Sequence, residues 1–253
     1  MRLRTTLPLL ILAVVTVFSH AQVTATAGPP VVPLGGTVWV SVANDTPNEV
    51  FLSSPCNYQV LDAGGLPVFA PVFCTGNVVQ IPAGGVFSTT WSQVDNAFAQ
   101  VPAGNYTVLV FHPGGPTPVP IVVSATEDAG IAQLGTARIG TVRNLALVAP
   151  AHAGFAYVVA AAFSTTPGLG SCAGVVPLAA DALLTMSLTP GNGVFFNFTG
   201  VLDVTGGATT PAIAVPNLPA LIGLSFPVAF VVVDPTAPCF LRSISAPTTI
   251  VMF

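Results

Sequence analysis

The stretch from Ile81 to Val110, IPAGGVFSTTWSQVDNAFAQVPAGNYTVLV, carries one tripeptide turn twice, at Pro82-Ala83-Gly84 and Pro102-Ala103-Gly104. A run rich in β-branched and aromatic residues follows each copy. Proline presets φ for the second position of a type I turn and glycine is favoured at the fourth, so the tripeptide marks a chain reversal. Strand, tight turn, strand at this spacing is how an antiparallel sandwich is written in sequence. Thr37-Val38-Trp39-Val40-Ser41-Val42 adds the period-two alternation of a half-buried strand. Tyr106 to Phe111 is apolar on both faces, as a central strand would be.

The same grammar continues to the C-terminus. In the first half, strands are expected at Val23–Ala27, Thr37–Ala43, Glu49–Ser53, Tyr58–Asp62, Asn77–Ile81, Val86–Ser92, Tyr106–His112 and Val119–Val123. In the second they are expected at Thr141–Val148, Phe155–Phe163, Leu183–Leu188, Val194–Phe198, Val201–Val204, Ala208–Val215, Leu224–Asp234 and Leu241–Met252. Gly206-Gly207 reads as a hairpin turn between two of these. No long amphipathic helix is written; Leu178–Leu183 is at most a single turn. Ala125–Gly140 changes character, with Glu127, Asp128 and Arg138 and no proline. The expected architecture is all-β: two β-sandwich domains in tandem, residues 22–124 and 125–253, the first immunoglobulin-like. Each half is expected to fold alone.

Residues 1–21 read as an export leader: Met1-Arg2-Leu3-Arg4 is a basic head, Leu7 to Phe18 an apolar run of 12, and Ser19-His20-Ala21 a cleavage site. That run is short of the roughly 20 residues that span a bilayer. No cysteine follows the cut, which disfavours a lipoprotein. Export makes the four cysteines readable as disulfides. Four cysteines allow three pairings. If the halves fold separately, Cys56–Cys74 and Cys172–Cys239 are the pairs each can make alone, worth about 3 and about 4 kcal/mol by chain-entropy bookkeeping. The spacing lacks the C-x-x-C or Cys/His pattern of a metal site.

There is no lysine, and past the leader only Arg138, Arg143 and Arg242 stand against nine acids. Nucleic acid and anionic lipid are both bound through Lys and Arg, so neither is an expected partner. Charged residues make up 6% of the chain, and mean hydropathy is +0.81. The one long apolar stretch after the leader, Leu145 to Phe163, is broken by Pro150-Ala151-His152-Ala153-Gly154, a turn between two strands. An outer-membrane barrel would want aromatic girdles, and the chain has two Trp and three Tyr. The high apolar content makes an associating surface plausible.

Trp91, Gln93, Asp95, Val101, Pro102, Gly104 and Tyr106 match the pattern W-x-(G or Q)-x-D-x-x-G-x-x-V-P-x-G-x-Y. Over roughly residues 35–123 the chain therefore resembles bacterial immunoglobulin-like domains of the intracellular proteinase inhibitor family, and secondarily flagellar hook-capping repeats. Phe98 stands where the pattern has glycine, so the turn after Asp95 is expected to differ. The second half resembles an uncharacterised C-terminal domain of secreted planctomycete-type bacterial proteins. Gln133-Leu134-Gly135-Thr136, Pro167-Gly168, Pro177-Leu178, Asp181, Val201-Leu202-Asp203, Val215-Pro216, Leu221-Ile222-Gly223-Leu224 and Val233-Asp234-Pro235 carry that resemblance, which implies no activity.

Chemistry-bearing residues are sparse. His112 and His152 read as solvated loop histidines, in separate halves. Asn44 to Glu49 could offer Asp45 and Glu49 to calcium with Asp62 or Asp95 nearby, but an Asx-type turn is favoured. Asp203 and Asp234 read as turn residues. No carboxylates are spaced as a glycosidase pair, and the glycine pairs lack a phosphate-binding pattern. Trp91 matches a core position, leaving Trp39 as the one open sugar-stacking candidate. No catalytic, metal or cofactor set is assigned. The expectation is a secreted, non-catalytic binding, adhesion or surface-structural protein. Its partner would be an unknown protein or a surface polysaccharide, and self-association is possible. The alternative is an extracellular protease inhibitor acting through a loop of the first half. Adhesion predicts a broad apolar or Thr-rich sheet face, and inhibition an exposed rigid loop with one side chain for a protease pocket.

Overall fold

The computed structural model describes residues 22–72 and 74–253. The leader read from residues 1–21 lies outside them. Ten strands build the first sandwich: β1 (Val23–Gly28), β2 (Val31–Pro33), β3 (Val38–Asn44), β4 (Val50–Leu52), β5 (Tyr58–Leu61), β6 (Pro67–Phe69), β7 (Val79–Ile81), β8 (Val86–Trp91), β9 (Gly104–His112) and β10 (Gly115–Ser124). One sheet runs β1-β3-β8 and the facing sheet β2-β10-β9-β5-β6, with β4-β7 a separate pair. Most pairs are antiparallel, but β2 lies parallel to β10.

Alternation decides which face is buried. Val38, Val40 and Val42 enter a core with Val60, Trp91, Tyr106, Val108 and Val110. On β9 the other face is half open: Phe111 is 43% exposed, so this strand is not buried on both sides. The Tyr106 hydroxyl donates to Pro102 O at 2.8 Å, the tyrosine corner of immunoglobulin-like sandwiches. Trp91 packs edge-on to Tyr106 and donates Nε1–H to Val94 O at 2.8 Å. Gln93 is buried with φ 57°, which explains why glycine is its alternative in the pattern.

The second sandwich uses β11 (Gly130–Gln133), β12 (Val142–Val148), β13 (Ala156–Ala161), β14 (Leu169–Ser171), β15 (Gly174–Val176), β16 (Phe195–Phe196), β17 (Thr199–Val201), β18 (Gly207–Ala208), β19 (Ala212–Ala214), β20 (Ser225–Val233), β21 (Leu241–Ile244) and β22 (Thr248–Val251). Its sheets run β11-β12-β19-β16 and β17-β13-β20-β21, with β18 also on β12 and β22 also on β20. The apolar stretch Leu145 to Phe163 is indeed two strands, but they belong to opposite sheets. The Gly206-Gly207 turn also crosses between sheets, since β17 pairs β13 and β18 pairs β12, so it is not a hairpin.

The expected strand Leu183–Leu188 is instead the helix α1 (Ala182–Leu188). Asp181 caps it, accepting from Leu184 N at 2.9 Å, and Leu183 and Ser187, four apart, face inward. Strands β2, β6, β11, β14 and β15 were not expected. The cysteines pair as Cys56–Cys74 and Cys172–Cys239, with Cα–Cα distances of 5.8 and 6.1 Å.

The two copies of Pro-Ala-Gly fold differently. At the first, Gly85 N donates to Pro82 O at 2.8 Å and Gly84 has φ 70°, so proline is the first turn residue and glycine the third, as in type II. The second is a bend held by the tyrosine corner. A separate turn recurs three times: Asp62, Asp95 and Asp203 each accept through Oδ1 from the backbone N–H two and four residues on, at 2.8–2.9 Å. Each also accepts, through its carbonyl, from the N–H three residues on, at 3.0 Å. Residue four is left-handed in all three: Gly65 at 80°, Phe98 at 61° and Gly206 at 75°. The turn after Asp95 therefore does not differ; Phe98 adopts the conformation glycine would take.

One hydrophobic cluster draws on residues 32–123 plus Val148, another on residues 129–252. They meet at the outer face of β1-β3-β8. Register places Thr26, Ser41 and Ser88 side by side there, and Ser41 and Ala43 are fully buried although they point away from the first core. Residues 132–138 cover them. Gly135 has φ 78°, and a Cβ there would lie 2.7 Å from Val86 Cγ2 and 3.3 Å from Ala43 Cβ. This small hydroxyl-bearing patch is not the broad apolar or Thr-rich sheet face that adhesion predicts, and the second sandwich packs over it.

Candidate binding cleft

Trp39 lies on this outer face, one alternation before Ser41, and stays half exposed. It is bordered by two clefts, of about 310 and about 120 Å³. Ser88, Val142, Arg143 and Asn144 line the larger, and Thr37, Val148, Asp203 and Thr205 the smaller. Trp39 and Thr209 line both, so the indole stands where the clefts adjoin.

Arg143 is buried beneath this site. Its Nε donates to Thr136 O, its Nη1 to Val142 O at 3.2 Å and its Nη2 to Gly84 O at 3.1 Å. Burial lowers its pKa; Asp45 nearby opposes that and Arg138 adds to it. Asp203 Oδ1 is occupied by its own turn, and the Thr205 hydroxyl, then the Gly207 and Thr205 N–H groups, hold its carboxyl below the ordinary range.

Asp45 also belongs to the junction. Its Oδ2 accepts from Thr136 Oγ1 at 2.6 Å, and Arg138 approaches Oδ1 at 3.9 Å while donating to Asp45 O. Glu49 instead bonds Gln80 on the surface. The two acids considered for calcium do not converge, and the Asx-type turn is made by Asn44, which accepts from Thr46 N at 3.0 Å. Among the described residues no three His, Cys, Asp or Glu side chains are placed to hold a metal.

His152 is buried, not solvated. Its Nε2 lies 3.1 Å from Asp128 Oδ2, and Ser243 Oγ donates to Asp128 Oδ1. Serine, histidine and aspartate thus meet in the wrong order: a hydrolase needs the imidazole between serine and acid, whereas here the carboxylate stands between. Nδ1 is buried without a partner, and Phe155 packs edge-on to the ring. Arg242 sits 4.5 Å over the Phe155 ring and bonds Asp234 at 2.8 Å. Asp234 holds a turn, accepting from Thr236 N at 2.9 Å. Sequence spacing could not reveal the Asp128 cluster, whose members come from three distant segments.

His112 is half buried in a β9–β10 hairpin, far along the chain from His152. Gly114 N donates to its Nδ1 at 3.2 Å, so Nε2 carries the hydrogen and donates to Thr117 Oγ1 at 2.8 Å. Burial lowers its pKa. The unfolded chain then takes up the proton more readily, so stability is full above about pH 6.5 and falls as pH drops through that value. Urea midpoints of the wild type and His112→Gln should diverge in slope between about pH 7 and 5. Identical slopes would remove His112 as the cause.

The loop after Asp95 is pinned at Asn96 by two bonds. Asn96 N donates to Val68 O at 3.2 Å, and Asn96 Oδ1 accepts from Ala70 N at 3.0 Å. Phe98 projects from it 72% exposed.

No protein-family model and no curated protein matches this chain. Among solved structures, a red sea bream transglutaminase aligns with 92% of this chain and 31% of its own, at 12% identity and TM-score 0.26. A 1.5-MDa bacterial ice-binding adhesin, described for host cell surface retention, aligns with 91% of this chain and 64% of its own, at 13% identity and TM-score 0.24. The chain spans less than two thirds of either, and at these scores neither likeness carries an argument about function.

Proposed function

We propose that the protein is a secreted, non-catalytic binding or adhesion protein. The observation that carries this reading is the use made of its ionisable groups. Asp62, Asp95, Asp203 and Asp234 hold turns, Asp181 caps α1, Arg143 bonds three carbonyls, and Asp128 separates the histidine from the serine it would need to activate. General acid–base chemistry calls for a positioned group free to exchange a proton with substrate. The leader and the two disulfides support export. Among the described residues no helix is long and apolar enough to cross a membrane.

The pinned, exposed Phe98 supports a second reading, an extracellular protease inhibitor that presents this aromatic to a protease pocket. Two assays separate the readings. Incubation with ester, glycoside and peptide substrates should give no turnover; turnover abolished by His152→Ala would overturn the non-catalytic reading. Stoichiometric inhibition of a serine, cysteine or metalloprotease, lost in Phe98→Ala, would establish the second reading over the first.

A further inference from the structure

We propose that the junction cleft is a saccharide site in which the Trp39 indole stacks on the apolar face of a neutral sugar; this rests on the binding reading above. Trp39 is one of two tryptophans in the chain, and the other, Trp91, is a core residue with its N–H bonded to Val94 O. No group among the described residues accepts from Trp39 Nε1, so this donor is free to bond a ligand.

The groups around it are also free. Thr37, Thr209, Asn144 and Asp203 line the two clefts, and Thr37 Oγ1, Thr209 Oγ1, Asn144 Oδ1 and Asp203 Oδ2 bond nothing among the described residues, while the other functional atoms of Asn144 and Asp203 are fixed, Nδ2 on Thr209 O at 2.8 Å and Oδ1 in its turn. A flat apolar wall ringed by hydroxyl, amide and carboxylate atoms matches a pyranose, which offers a C–H face and a rim of hydroxyls. The larger cleft alone, at about 310 Å³, is at the size where small-ligand sites begin.

Charge and backbone narrow the ligand class. The one cation in the lining, Arg143, is consumed by carbonyls, and Asp203 is negative, so an anionic sugar is disfavoured. An extended peptide would bind by adding to a sheet edge. Here β3, which carries Trp39, is paired on both sides by β1 and β8, and β12 by β11 and by β18 and β19, so these two strands offer side chains and no free ladder; β8 and β18 are the edge strands in the lining.

The test is a fluorescence titration of the purified protein with linear neutral oligosaccharides of glucose, mannose, xylose and N-acetylglucosamine, and with oligogalacturonate as the anionic control. Trp91 is enclosed, so a change in emission reports Trp39. At least one neutral chain should shift the emission at millimolar concentration or below. Calorimetry should show at least tenfold weaker binding for Trp39→Ala, an intermediate loss for Trp39→Phe, which keeps a ring and removes the N–H, and a severalfold loss for Thr209→Val. The near-ultraviolet circular dichroism of Trp91 and Tyr106 checks that each variant is folded, and Trp39→Phe and Thr209→Val carry the test if Trp39→Ala is not. Undiminished binding in the folded variants, binding of oligogalacturonate alone, or no binding across the panel would overturn the saccharide site. Capture of a protein ligand with no sugar bound would overturn the site and leave the binding reading standing. Growth of reducing ends during incubation would overturn the non-catalytic reading instead.

Discussion

Gly206→Ala is expected to cost about 2–5 kcal/mol, about 1–2 from the left-handed backbone and about 1–3 from overpacking. Gly206 has φ 75°, and a Cβ there would sit 2.2 Å from Ala149 O and 2.7 Å from Pro150 Cα. Both are main-chain atoms of the link between β12 and β13, and Ala149 N donates back to Gly206 O at 2.8 Å, so neither side can rotate away. Gly65 supplies the control. It holds the same place in the Asp62 turn at φ 80°, with nothing within 4 Å of an added Cβ. Gly65→Ala should cost only the backbone term, about 1–2 kcal/mol. Urea unfolding of both variants gives the comparison. Equal losses would mean that the Asp203 turn does not dock on Ala149.

Phe98 completes the series. Replacing it with glycine should relieve about 1–2 kcal/mol of left-handed strain and give back about 0.5–1 in unfolded-chain entropy, a small net gain. A residue kept at such a cost while 72% exposed is explained more readily by contact with a partner than by packing. This makes Phe98 the residue to change when the inhibitor reading is tested.

These turns show what the sequence makes legible. Asp two and four residues before backbone donors, with a left-handed residue between that is glycine in two turns and Phe98 in the third, is a local code, and alternation on β3 and the Trp91-to-Tyr106 pattern are local too. Helix α1 reads as a strand because Leu184, Met186 and Leu188 alternate with Thr185 and Ser187, although leucine and methionine are good helix formers and Asp181 stands in place as the cap. Strand β11 is illegible in the sequence because four residues, two of them Gly and Ala, carry little pattern. The junction was beyond local reading. Trp39 could be singled out as an aromatic among buried valines, but the groups that make a cleft beside it, Asn144, Asp203 and Thr209, lie more than a hundred residues later. His152 reads as solvated in the sequence because its burial depends on Asp128, Ser243 and Phe155, which no spacing rule connects.

Arg143→Met is expected to cost about 3 kcal/mol, roughly 1 for each of the three carbonyls that lose their donor, and one of these, Gly84 O, lies across the junction. Methionine keeps the length of the side chain and removes the buried charge, so the desolvation that lowers the Arg143 pKa is recovered and trims the loss. The location of the loss matters more than its size. Gly84 belongs to the first sandwich and Thr136 to the second, so the guanidinium ties one to the other. Both tryptophans lie in the first sandwich, so their emission follows its unfolding, while far-ultraviolet circular dichroism follows both. The wild type should give coincident transitions by the two probes, and Arg143→Met should separate them. Coincidence in the variant would leave the closely packed Gly135 contact as the coupling; separation already in the wild type would mean that each half unfolds by itself, as the sequence suggested. Trp39 comes from one sandwich and Asn144 and Thr209 from the other, so the proposed sugar site exists only while the junction is closed. Arg143 touches no ligand in this arrangement and acts as a positioning residue: its loss should weaken saccharide binding in proportion to the fraction of molecules whose junction has opened.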